Sequence, residues 1–143
     1  MKKILFLALC IASTVFGANG VHRDGAKGIV IDGRTGLVWQ DNAAAATTTA
    51  TWANAITICE NLVLGGYSDW RLPKINELKS IRDMSRSSPA IDTAFVNTAA
   101  DYYWSSTSSA AETTSAWSVH FNASHVITGP KSASFYVRCV RGN

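Results

Sequence analysis

The sequence predicts a single α+β domain, and three observations carry that expectation. A β-branched hairpin pattern opens the folded region, two segments with apolar residues three and four apart follow it, and alternating segments fill the rest. The order is therefore hairpin, two helices, then three or four antiparallel strands. No internal repeat interrupts it.

In "GIVIDGRTGLVWQD" the apolar runs Ile29 to Ile31 and Leu37 to Trp39 flank Asp32-Gly33-Arg34-Thr35-Gly36, a hairpin with Asp-Gly turn chemistry. Residues 42–53, "NAAAATTTATWA", have no apolar period and read as a loop leading to a helix start. Trp52, Ala55, Ile56, Cys59, Leu62 and Val63 then recur at helical spacing, with Thr51 as N-cap and Gly65-Gly66 as the stop, which predicts a helix over 52–64. Cys59 lies on its apolar face, so any disulfide partner belongs in the core. A second helix follows Pro73, whose missing N–H costs nothing in a first turn. Ile75, Leu78, Ile81 and Met84 form its apolar line, and Lys74, Asn76, Lys79, Arg82 and Asp83 take the other faces.

After the loop "SRSSPAID", the segments "YYWSST", "AWSVHFN", "HVIT" and "FYVRCVR" read as strands. Within the second, Trp117, Val119 and Phe121 alternate with Ser118, His120 and Asn122, which predicts one buried and one solvent-facing side. Strand and corner contexts place Trp39, Trp70, Trp104 and Trp117 in the core.

Met1-Lys2-Lys3 followed by the apolar run Ile4 to Ile11 and by Ala12 to Gly17 has the pattern of a secretory signal peptide, with cleavage expected after Gly17. An uncleaved anchor is the alternative. The run is too short for a bilayer, and no later stretch approaches the roughly 20 apolar residues of a membrane helix. The expected organisation is a signal peptide over 1–17, a tail over 18–27 and one domain over 28–143. Cleavage removes Lys2 and Lys3 from 13 basic residues facing 10 acidic ones, so the mature chain is near neutral. Nucleic acid is not an expected partner, since a clearly basic patch is missing. Cys10 departs with the signal, leaving Cys59 and Cys139 with a single intramolecular connectivity or as two free thiols. A bridge would close about 80 residues, worth roughly 4 kcal/mol on chain entropy and commonly about 2 to 4 in practice.

Evidence for catalysis is thin. Gly66-Tyr67-Ser68-Asp69 follows the opening of a G-x-S-x-G elbow, but Trp70 stands where the last Gly belongs. This stretch reads instead as a corner that buries Trp70 and Leu72 and starts a helix at Pro73, with Asp69 or Arg71 hydrogen-bonded across it. His22 falls in the expected tail. His120 and His125 flank the turn "FNASH" without a third ligand at metal-binding spacing, and no calcium loop or phosphate loop occurs. No metal or cofactor is expected. Charged residues make up 16% of the chain against about 25% in an ordinary domain. Polar uncharged loops with aromatics suit recognition surfaces.

"TGLVWQD", "WANAITICENLVLGGYSDWRLPKINELKSI", "YYWSSTS", "AWSVHFN" and "YVRCVRG", in that order from about Gly28 to Gly142, resemble the Lcl C-terminal domain family, named from the terminal domain of the Legionella collagen-like adhesin. The resemblance implies a C-type-lectin-like domain related in fold to the formylglycine-generating enzyme and to the variable proteins of diversity-generating retroelements. It implies that Cys59 and Cys139 pair. It places a binding face after the Trp-Ser-Ser motif, over Ser105 to Phe135, with Ser118, His120, Asn122, His125 and Lys131 as outward ligand-binding candidates. The naming adhesin carries a Gly-X-Y stalk and binds sulfated glycosaminoglycans. This sequence has no such repeat, and only Lys74, Lys79, Arg82 and Arg86 offer a local basic face, which also suits a solvated helix. The Glu-Pro-Asn and Trp-Asn-Asp signatures of calcium-dependent lectins are absent.

The expected function is a secreted or periplasmic, non-catalytic module that binds an extracellular glycan or protein. The competing expectations are a variable binding protein of the retroelement kind, a cell-envelope assembly component such as a homotrimer, and a hydrolase using Ser68, His120 or His125.

Overall fold

The computed structural model describes residues 20–142. The expected signal peptide, with Cys10, lies outside them. In chain order the elements are β1 (Val21–Asp24), β2 (Ile29–Asp32), β3 (Leu37–Gln40), α1 (Ala44–Thr47), β4 (Thr49–Ala50), α2 (Trp52–Glu60), α3 (Ile75–Ser80), β5 (Tyr102–Ser108), β6 (Ser115–His120), β7 (His125–Pro130), β8 (Phe135–Tyr136) and β9 (Val140–Arg141). The fold is α+β, as the sequence predicts. One sheet has the order β1-β2-β3-β9 and the other β4-β8-β5-β6-β7, all pairs antiparallel except β5 with β8.

The β2–β3 turn is built from its own residues. The Asp32 carboxylate accepts from the Arg34 backbone N–H and guanidinium, and Gly36 closes the turn at a φ of 74° that disfavours other residues. Burial opposes ionisation of Asp32, but the hydrogen bonds from Arg34 outweigh it and hold its pKa below the ordinary carboxylate range.

Residues 21–24 are not a tail. Their backbone pairs with β2 in full register, and Arg23 reaches Asp41 at 2.7 Å. His22, Arg23 and Asp24 gave this edge strand a polar composition that hid it. The loop expected over 42–53 holds α1 and β4, both too short to show a period.

Both main helices start close to where the sequence puts them, α3 with Lys74 as its N-cap and Pro73 before rather than within its first turn, and both stop sooner. At the end of α2 the ladder tightens, with the Leu62 N–H bonded to the Cys59 carbonyl, and Leu64 then pairs with Tyr67. After α3 the chain turns so that Arg82 pairs with Ile91, which leaves Met84 77% exposed rather than on an apolar face.

"FYVRCVR" is not one strand. Phe135–Tyr136 pairs in the five-stranded sheet and Val140–Arg141 in the four-stranded one, with Val137, Arg138 and Cys139 buried between. Cys139 is bonded to Cys59 of α2 at a Cα separation of 5.4 Å. One hydrophobic cluster gathers Cys59, Trp70, Leu72, Trp104 and Val137, and a second gathers Val30, Trp39, Leu78, Ile81, Tyr103 and Phe121. Trp39, Trp70 and Trp104 are core residues as expected, whereas Trp117 is only half-buried.

Candidate functional site

The β6–β7 hairpin brings three of the five ligand-binding candidates together. His120 and His125 are directly opposed in register, and Asn122 sits in the turn between them. Asn122 and His125 are exposed. His120 is partly covered by the Tyr102 ring, which meets it edge-on at 4.1 Å between centroids. Its Nδ1 accepts the Asn122 backbone N–H at 3.1 Å, which leaves the imidazole proton on Nε2, 3.8 Å from Asp101 Oδ1. Asp101, missed in the sequence because 19 residues separate it from His120, thus adds a carboxylate to the imidazoles and the amide. Its only sequence signal was its place just before "YYWSST".

The turn is held from below. Ser88 N–H donates to the Asn122 carbonyl at 2.9 Å, and the Arg82 guanidinium donates to the Ser124 carbonyl at 3.0 Å. Ser88 Oγ also bonds the Asn122 side-chain oxygen. Donors, acceptors and one aromatic edge therefore converge at a hydrogen-bonded hairpin turn, which is chemistry for hydrogen-bonded recognition.

The other two candidates lie elsewhere. Ser118 is fully buried, and its Oγ donates to the Ile127 carbonyl at 3.3 Å. Alternation placed it outward on the premise of one solvated sheet face, but Phe135 packs on Trp104, the cross-strand partner of Ser118, and covers that face. Lys131 follows the far end of β7, about 20 Å of strand from the turn, and its ammonium sits 4.1 Å above the Trp52 ring.

Sequence reading also missed the buried polar centre. Arg138 and Asp41 are both fully buried. Arg138 bonds the carbonyls of Gln40 and Asn97 at 2.5 and 2.6 Å and Thr98 Oγ1 at 2.8 Å. Asp41 accepts from Arg23 and from the backbone N–H groups of Val96 and Asn97. Nearby, Gln40 Oε1 accepts the Cys139 N–H at 3.0 Å. This network ties the four-stranded sheet to the segment before β5.

The "GYSDWRLPKINEL" corner is structural in the manner expected. Trp70 and Leu72 are buried, Asp69 pairs with Arg141 at 2.7 and 3.0 Å, and Arg71 pairs with Glu77 at 2.7 and 2.8 Å. The Arg71 backbone pairs both ways with Val140. Of the basic helix residues, Arg82 points its guanidinium at Lys79 and Ser124 carbonyls.

The paired structural motifs, Gln40-Asp41 from "TGLVWQD" with Arg138-Cys139 from "YVRCVRG", span the region that a family model matches: the Lcl C-terminal domain, over residues 28–141. The chain belongs to that family. A comparison with curated proteins gave no match. In this Lcl C-terminal domain the β1 strand precedes the matched region and extends its first sheet. Among the described residues no helix is long and apolar enough to cross a membrane, and no cluster of three or more His, Cys, Asp or Glu has the geometry to hold a metal.

Proposed function

We propose that this Lcl C-terminal domain is a secreted or periplasmic, non-catalytic binding module of C-type-lectin-like type. It recognises an extracellular glycan or protein through the β6–β7 turn. The observation that carries this reading is the convergence of His120, Asn122, His125 and Asp101 on one hairpin turn held by Ser88 and Arg82. A polar turn held in this way limits the ordering cost of binding. The disulfide fits an oxidising compartment. The non-catalytic reading draws on the corner at Ser68, where the neighbouring acid Asp69 is engaged by Arg141 and not by a histidine.

The test is a glycan array together with pull-down from extracellular material, comparing the native chain with a combined His120→Ala, Asn122→Ala, His125→Ala variant. Loss of binding is expected while the far-ultraviolet circular dichroism spectrum stays that of the native chain. Undiminished binding by the variant would move the ligand to another surface. Lys131→Ala is expected to leave this binding unchanged, because Lys131 lies at the opposite end of the hairpin.

A further inference from the structure

We propose a second ligand site, a groove between α2 and β5 that takes a small zwitterion with an apolar body, an amino acid or dipeptide. The groove encloses about 230 Å³ and is lined by Ile56, Glu60, Arg71, Leu72, Lys74 and Ser106. Sites for drug-sized molecules run from roughly 300 to 1,000 Å³, so this one suits a smaller ligand.

Its chemistry is specific. Ile56 and Leu72 give an apolar floor, and Glu60 and Lys74, both exposed, stand on its rim from different elements. Neither belongs to an ion pair among the described residues. The Arg71 charge is met by Glu77 through two hydrogen bonds and Lys74 lies near enough to Glu77 to favour its carboxylate, so the charges of the groove outside any ion pair are the Glu60 carboxylate and the Lys74 ammonium. Opposite charges left apart on an apolar floor complement a ligand that carries both signs. A neutral sugar could hydrogen-bond these groups but would neutralise neither charge.

The walls are fixed before any ligand arrives. Cys59 anchors α2 to Cys139, Arg71 is clamped by Glu77 and by the Val140 backbone, and the Ser106 N–H is bonded to the Pro73 carbonyl at 2.7 Å. Binding there orders little that is not already ordered.

The experiment follows amide chemical shifts of the purified, isotope-labelled chain during titration with L-leucine and with L-leucyl-L-leucine. Saturable shifts at Ile56, Leu72 and Ser106 are expected for at least one probe. N-acetyl-leucine, which lacks the ammonium, and leucine amide, which lacks the carboxylate, are expected to bind about tenfold more weakly. Glu60→Gln should erase the preference over N-acetyl-leucine, and Lys74→Met the preference over leucine amide. Both positions are exposed, and an unchanged near-ultraviolet circular dichroism spectrum verifies each variant's fold. No shift with either probe at about 10 mM, equal binding of the blocked analogues, or shifts confined to the β6–β7 turn would each overturn the proposal.

Discussion

Arg138 Nη1 lies 3.2 Å from Asp41 Oδ1, and neither side chain is exposed to solvent. The pair stands 97 residues apart in the chain and joins the end of β3 to the crossover between the sheets. A buried ion pair contributes little net stability when intact, because desolvation offsets its attraction, but a lone member left behind is costly. Arg138→Met is therefore expected to destabilise the fold by about 3–5 kcal/mol, read from urea unfolding. Adding Asp41→Leu should cost less than the two single losses summed, since the double variant removes both fully buried charges and leaves only the part-exposed Arg23 without its carboxylate.

The disulfide is the second long-range tie. Reduction, or Cys59→Ala with Cys139→Ala, is expected to lower unfolding free energy by about 2–4 kcal/mol, measured as thermal melts with and without reductant. Thiol labelling of the native chain under denaturing, non-reducing conditions should leave both positions unlabelled.

Acid should weaken the fold through Asp32 and Glu77. Both carboxylates are opposed by burial, and hydrogen bonds from Arg34 and Arg71 respectively hold their pKa values below the ordinary range. The unfolded chain then takes up protons first as pH falls. Their contribution is complete above the ordinary carboxylate range of about 4 and is lost as pH drops through their lowered folded values. Urea midpoints are expected to be flat from about pH 6 to 8 and to fall below about pH 4. Glu77→Gln should make that fall shallower.

Gly129 offers a sharper packing test. A methyl group there would sit 2.6 Å from the Phe135 ring, which also lies against Trp104 at 4.3 Å between centroids. Gly129→Ala is expected to cost about 1–3 kcal/mol and to alter the near-ultraviolet aromatic signal. Phe135→Leu in the same background should recover part of the loss.

The fold was legible wherever burial is one-sided and periodic. The β2–β3 hairpin and the starts of α2 and α3 follow from apolar spacing and from Asp32, Thr51 and Pro73 at their boundaries. Where the chain departs from that pattern, it was not. Ser118 reads as outward because polarity alternates there, yet the sheet is covered on that side by Phe135. Arg138 reads as one more strand residue, because nothing local announces a partner 97 positions away. The β6–β7 turn carries His120, Asn122 and His125 within one short stretch, but the carboxylate beside them, Asp101, comes from the residue before β5.

The β6–β7 turn hangs mainly on main-chain carbonyls: those of Asn122 and Ser124 take bonds from Ser88 and Arg82, and the Asn122 side chain adds one more to Ser88. Every amino acid carries that group, so the scaffold places little constraint on which side chains stand at 123 and 125. The side chains at this tip can be rewritten by mutation without renegotiating the fold, and a library randomised at those two positions should remain largely folded while its members present divergent surfaces.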